Sequence, residues 1–235
     1  MYRNLLPLII LFSSGTLIAQ LIRNDSRIND AFTDLTNRVK PTSATIANFN
    51  GDPYLDSKFY ESTVVYFGKT LKEKIFLRYN AFSDEMEMSE KANTQKTEQA
   101  LIKNSKISCI INKQVYKYLP LKNGNEFLGR AGYVQEIHKG NQYSLYLRKR
   151  KVFREGKKAR TSLERSFPPR FIDETEWYLQ KGEGALEFFK PTKKYLKFHF
   201  KTNQKRLESF LKNNKGDLKN IETIKGLVSF MDSKN

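Results

Sequence analysis

Two histidines, one cysteine and a short acidic run are the residues of this chain whose types could carry catalysis or hold a metal. Hydrolytic and metal chemistry need such groups in sets, brought within hydrogen-bond or ligand reach. His138 abuts an expected hairpin turn and His199 sits in the basic run KFHFK, and neither has HExxH, HxH or cysteine spacing around it. A solvated or half-buried histidine is the default for both. A Ser–His–Asp site assembled from distant positions stays open, but there is no G-x-S-x-G elbow and no βαβ alternation to carry one. Cys109, within KISCII, reads as a buried small hydrophobe and cannot form an internal disulfide alone. Asp84, Glu85 and Glu87 invite a reading as paired carboxylates or Ca²⁺ ligands. No oxygen-rich Asp/Asn/Gly loop accompanies them, and Arg78 is placed to neutralise one, so they read as charge pairing on the open face of a hairpin. No phosphate-binding glycine motif occurs. The expectation is a non-enzyme with no catalytic residues, no metal and no cofactor.

Binding leaves a stronger mark. The chain has 42 Lys and Arg against 25 Asp and Glu, a net charge of +17. Residues 1–145 carry a net of +5 and residues 146–235 a net of +12. Such an excess suggests an anionic partner, and an ordinary solvated basic surface is the competing reading. Residues 148–170 hold ten cations against Glu155 and Glu164, broken by Gly156, Pro168 and Pro169. This segment reads as an extended loop or arm projecting from a sheet. Arg148, Lys149, Arg150, Lys151, Arg154, Lys157, Lys158 and Arg160 are its candidate partner-binding residues, facing lipid headgroups, acidic glycans or an acidic protein. Tyr143, Tyr146, Phe153 and Phe167 interleave aromatics with these cations, as nucleic-acid grooves do. Export argues against that partner.

The case for export is at the N-terminus. Arg3, the apolar run Leu5–Phe12 and the small residues of Ser13–Ala19 have the layout of a secretory signal over residues 1–20, cut after Ala19 or Gln20. The apolar run is shorter than the roughly 20 residues a bilayer span needs, so no transmembrane span is expected in the mature chain. No cysteine follows it for a lipoprotein anchor.

These candidates need a scaffold. Ile28, Phe32, Leu35 and Val39 suggest a short helix over 26–39 capped by Ser26, then a linker to residue 50. Residues 51–190 alternate with period two between turn signals. The hairpin Ile75–Met88 puts Leu77 and Tyr79 on one face and Arg78 on the other. Further hairpins are expected around Asn112-Lys113, around residues 139–142, and around Gly182–Gly184. Residues 191–235 shift to helical period. Leu207, Phe210 and Leu211 form one stripe, and Ile221, Ile224, Val228 and Met231 form a second in a helix capped by Asp217. The fold class is α+β: a twisted antiparallel meander of about eight strands with two C-terminal amphipathic helices packed on it.

At Gly51-Asp52-Pro53-Tyr54-Leu55, Leu77-Arg78-Tyr79-Asn80 and Asp84-Glu85-Met86-Glu87 the chain resembles a group of exported proteins of Gram-negative bacteria with no known activity. The resemblance covers roughly residues 51–230. It implies export, to the periplasm or cell surface, and a sheet followed by helices, and it brings no active site. The function expected is a non-catalytic binding protein of the cell envelope. The alternative is a lipid or lipoprotein carrier, with Phe59, Phe76, Phe82, Met86 and Met88 lining an apolar cavity.

Overall fold

The computed structural model of the 235-residue chain describes residues 35–38, 49–71, 74–94, 97, 99–123, 126–161, 163–214 and 217–233. The chain divides into two compact units, Met1–Thr36 and Asn37–Asn235. Only Leu35 and Thr36 of the first are described, so the expected signal over 1–20 and most of the helix expected over 26–39 lie outside the described residues. The end of that expected helix, Thr36–Arg38, is instead a strand, β1.

Eleven more strands follow: β2 (Tyr60–Tyr66), β3 (Lys69–Thr70), β4 (Ile75–Asn80), β5 (Glu85–Ser89), β6 (Gln99–Leu101), β7 (Ile107–Ile111), β8 (Gln114–Asn123), β9 (Glu126–His138), β10 (Tyr143–Arg154), β11 (Arg170–Lys181) and β12 (Leu186–Phe189). Three helices close the chain: α1 (Lys193–His199), α2 (Gln204–Asn213) and α3 (Ile221–Asp232). Among the described residues the twelve strands exceed the expected eight, and the three C-terminal helices exceed the expected two.

Strand order across the second unit is β6-β5-β4-β2-β7-β8-β12-β11-β10-β9, and β8 also pairs with β9. With that pairing, strands β8 to β12 form a five-stranded ring. Its ladders are antiparallel except for β12 on β8, where Leu186 and Glu187 run parallel to Leu121 and Lys122. Leu121, Val134, Tyr146, Tyr178 and Leu186, one from each ring strand, meet in a single buried cluster that fills the interior. Alternate residues of β10 and β11 point the other way. Tyr143, Leu145, Leu147, Trp177 and Leu179 form the platform on which Leu196, Phe200, Leu207, Ile224, Val228 and Met231 of the C-terminal segment pack.

Two of these helices, α1 and α3, start at a side-chain cap. The Thr192 hydroxyl accepts from the Tyr195 N–H ahead of α1, and the Asn220 side chain accepts from the Glu222 N–H ahead of α3. The cap of α3 is therefore Asn220 and not Asp217, whose carboxylate accepts from the Lys219 N–H instead. An aspartate at the end of α3 opposes the helix dipole, and its position has another cause. The Asp232 carboxylate accepts hydrogen bonds from the N–H groups of Asn141, Gln142 and Tyr143, and so pins α3 to the β9–β10 turn. Burial pushes its carboxyl up, but those three donors outweigh burial and hold it below the usual aspartate range.

Candidate anion-binding surface

The acidic hairpin is the first candidate to be relocated. Arg78 and Glu87 are directly opposed in β4 and β5, but they do not face open water: they are 4% and 3% exposed. Arg78 donates to Glu87 through Nε at 3.1 Å and NH2 at 2.5 Å, and to the Ser57 carbonyl at 2.8 Å. Asn80 Nδ2 donates to the other carboxylate oxygen of Glu87 at 3.0 Å. The guanidinium lies against the rings of Tyr54 and Phe59, 3.7 and 4.3 Å from their centroids, supplied by the segment before β2. The expectation of charge pairing on an open face is corrected: the loop covers that face and the pair is a buried structural one.

Asp84 is likewise committed to structure. It sits at φ 57 in the turn of the hairpin and accepts from the Tyr79 hydroxyl at 2.6 Å, the Tyr133 N–H at 3.2 Å and Arg148 NH2 at 3.0 Å. Burial, then the Asp84 charge, holds the Tyr79 phenol well above its usual range. Glu85 pairs with Lys103 at 2.6 Å. The remaining chemical candidates stand apart from one another. Cys109 is buried and its thiol is pushed far up by desolvation. His199 lies 3.8 Å from Glu187, its imidazole pushed down by burial against the opposing carboxylate. His138 is at the end of β9.

The basic segment divides into two parts with different surroundings. Residues 148–154 are not loop: they continue β10 and pair residue for residue with β11. β11 brings acidic partners to this stretch. Arg148 NH1 lies 3.5 Å and Arg150 NH1 3.6 Å from Glu176, Lys151 Nζ lies 2.7 Å from Asp173, and Arg154 NH2 lies 3.7 Å from Glu174. Arg148 also reaches Asp84, and its head rests against Gly132, where an added Cβ would fall 2.7 Å from the guanidinium carbon. It ties the β10–β11 ribbon to the β4–β5 turn, and the Lys151 N–H donates to the Ala81 carbonyl beside it. Lys149 points to the opposite face of β10 from Arg148. It lines two adjoining open grooves of about 500 Å³ each, one with Lys113 and Lys225 and the other with Trp177, Lys190 and Lys219.

Beyond Arg154 the chain leaves the sheet as an excursion over residues 155–169, shorter than the arm expected over 148–170. Lys157 and Phe167 exchange both backbone hydrogen bonds at 2.9 Å and close its neck. Gly156 lies where the stems cross, and a Cβ there would meet Pro169 Cδ at 2.8 Å. Below the neck, Phe171 packs edge-on against Phe49, Phe82 and Phe153, which fixes the base. Glu164 is occupied within the arm, accepting from the Arg160 N–H at 3.2 Å and lying 3.3 Å from Lys157 Nζ. Lys158, Arg160 and Arg165 are exposed, and no carboxylate among the described residues lies within ion-pair distance of these three side chains. Leu163 is 95% exposed at the tip.

Of the eight sequence candidates, Arg148, Arg150, Lys151, Arg154 and Lys157 thus have acidic partners, while Lys149, Lys158 and Arg160 have none among the described residues. Arg165, outside the candidate set, joins them. Of the interleaved aromatics, Tyr143 and Tyr146 are buried, Phe153 packs on Phe171, and Phe167 lies under Arg170 at 4.8 Å. The five apolar residues considered for a carrier cavity do not share one space. Met86 and Met88 are buried on the Leu77–Tyr79 face, Phe59 covers Arg78 on the other, Phe76 is half-buried with Lys74 Nζ 5.7 Å from its ring, and Phe82 packs on Phe171. Among the described residues no helix is long and apolar enough to cross a membrane. Comparison with protein-family models, with curated proteins and with solved structures finds no match.

Proposed function

We propose that this is an exported, non-catalytic binding protein of the bacterial envelope, which contacts an anionic partner through the arm at residues 155–169. One observation carries the reading. Four of the five β10 cations, Arg148, Arg150, Lys151 and Arg154, have been met by Asp84, Asp173, Glu174 and Glu176, whereas Lys158, Arg160 and Arg165 have been left facing water on an arm with a fixed base. Unneutralised like charges on one short excursion repel one another unless an anion meets them. Near an anionic surface each is worth about 1 kcal/mol, so three give weak, reversible and additive attraction. Lys149 with Lys190, Lys219 and Lys225 offers a second area of net positive charge on the helix side, with Glu136 and Glu222 also in its lining. The layout of residues 1–20 supports export.

Salt tests the reading. Binding of the protein to a soluble polyanion, dextran sulfate, and to phosphatidylglycerol vesicles is expected to weaken steeply between 0.1 and 1 M salt, where the Debye length shrinks from about 10 to 3 Å. Binding to both that is indifferent to salt would overturn it.

A further inference from the structure

Leu163 is the most exposed large apolar residue described, at 95%, against 60% for the next, Phe198. It occupies the tip of the arm, with Lys158 and Arg160 before it and Arg165 after it. We propose that the anionic partner is a lipid bilayer, and that the arm docks on it with Leu163 entering the interfacial apolar layer while Lys158, Arg160 and Arg165 meet lipid phosphates. This proposal rests on the anionic-partner reading above and specifies it.

The argument is one of chemical complementarity. A soluble polyanion would satisfy the three cations and leave Leu163 in water as before. A bilayer surface offers anionic headgroups directly over an apolar layer, so it satisfies the cations and the leucine together. The one carboxylate at the tip does not oppose this approach, because Glu164 is held by Lys157 and by the Arg160 N–H. The arm is also formed in advance. The Lys157–Phe167 backbone pair closes the neck, Gly156 permits the close crossing with Pro169, and the Phe171 cluster holds the base. Ordering the arm on contact therefore loses little of the attraction gained. One leucine and three cations make a shallow anchor, reversible and dependent on headgroup charge.

The test uses the full chain carrying Leu163→Cys labelled with an environment-sensitive fluorophore. Cys109 is buried, with its thiol pushed up by desolvation, and leaves position 163 as the labelled site. On phosphatidylglycerol-containing vesicles the label is expected to shift to the blue and to be quenched by brominated acyl chains, with neither effect on phosphatidylcholine alone. Unlabelled Leu163→Gln should bind anionic vesicles about tenfold more weakly, the order of effect of withdrawing one leucine from an apolar layer. Its binding to dextran sulfate and its denaturation midpoint should match those of the wild type. A label that still reports water when the protein is vesicle-bound, or Leu163→Gln that binds vesicles as well as the wild type, overturns the bilayer proposal. If salt-sensitive dextran sulfate binding persists in that case, the broader reading survives. Loss of salt-sensitive binding to both probes in the wild type removes both.

Discussion

Arg78 and Glu87 face each other across β4 and β5 as a fully enclosed ion pair, with Asn80 on the second carboxylate oxygen and Tyr54 and Phe59 against the guanidinium. Their partnership is a condition of the fold. Either charge left alone inside would be stranded in a medium that solvates it poorly.

Glu87→Ala and Arg78→Ala are therefore expected to destabilise by about 3–5 kcal/mol each. Leu77→Ala, which empties the opposite face of the same hairpin, should cost about 2–5 kcal/mol. Urea denaturation of the three variants measures this directly. A Glu87→Ala loss below 1 kcal/mol would mean that the covering loop does not exclude water.

Gly132 and Arg148 make a second, geometric prediction. An added Cβ would stand 2.7 Å from the guanidinium, so Gly132→Ala should cost about 1–3 kcal/mol by overpacking. In the Arg148→Ala background the same change meets no guanidinium and should cost much less. A double-mutant cycle reads that coupling, and additive losses would show that the two residues do not compete for space.

Asp232 predicts the acid limb of stability. Its carboxyl is held below the usual value of 3.8 in the folded chain. The stabilisation is then fully present above that value and is lost as pH falls through the lower, folded value. Asp232→Asn should lower the melting temperature at pH 7, and the gap from the wild type should narrow below about pH 4. A gap of constant size from pH 7 to pH 2 would remove the carboxylate from this role.

The hairpins were legible because their information is local. Ile75, Leu77 and Tyr79 alternate, and Asn112 and Lys113 adopt the positive φ values, 47 and 65, that a tight turn between β7 and β8 requires. What covers a strand's polar face is not local. Alternation marks Arg78 and Glu87 as sharing a face, but the burial of that face depends on Tyr54 and Phe59, about 20 residues upstream of Arg78. The ring was hidden for a similar reason, since its closure rests on a two-residue parallel contact between β8 and β12. Helix α1 was missed because a seven-residue element with one buried position, Leu196, has too little periodicity to read. In the basic segment, composition located the cations but not their partners. The alternation of Asp173, Glu174 and Glu176 opposite Lys151, Arg150 and Arg148 appears only with the register. Once those pairs are set aside, the charges of the segment with no carboxylate at ion-pair distance among the described residues are Lys149, the arm's Lys158, Arg160 and Arg165, and Arg170, which lies over the Phe167 ring.

The most direct measurement compares two sets of substitutions on one protein. One set changes Lys158, Arg160 and Arg165 of the arm to Gln, and the other changes Arg148, Arg150 and Lys151 of β10 to Gln. Binding to phosphatidylglycerol vesicles and dextran sulfate is measured at low salt alongside the urea midpoint. The arm set is predicted to bind about a hundredfold more weakly, from about 1 kcal/mol per cation, with its midpoint unchanged. The strand set is predicted to lower the midpoint, because Arg148 loses Asp84 and Glu176 and Lys151 loses Asp173, while its folded fraction binds nearly as the wild type. An arm set that binds both probes as tightly as the wild type would contradict the account.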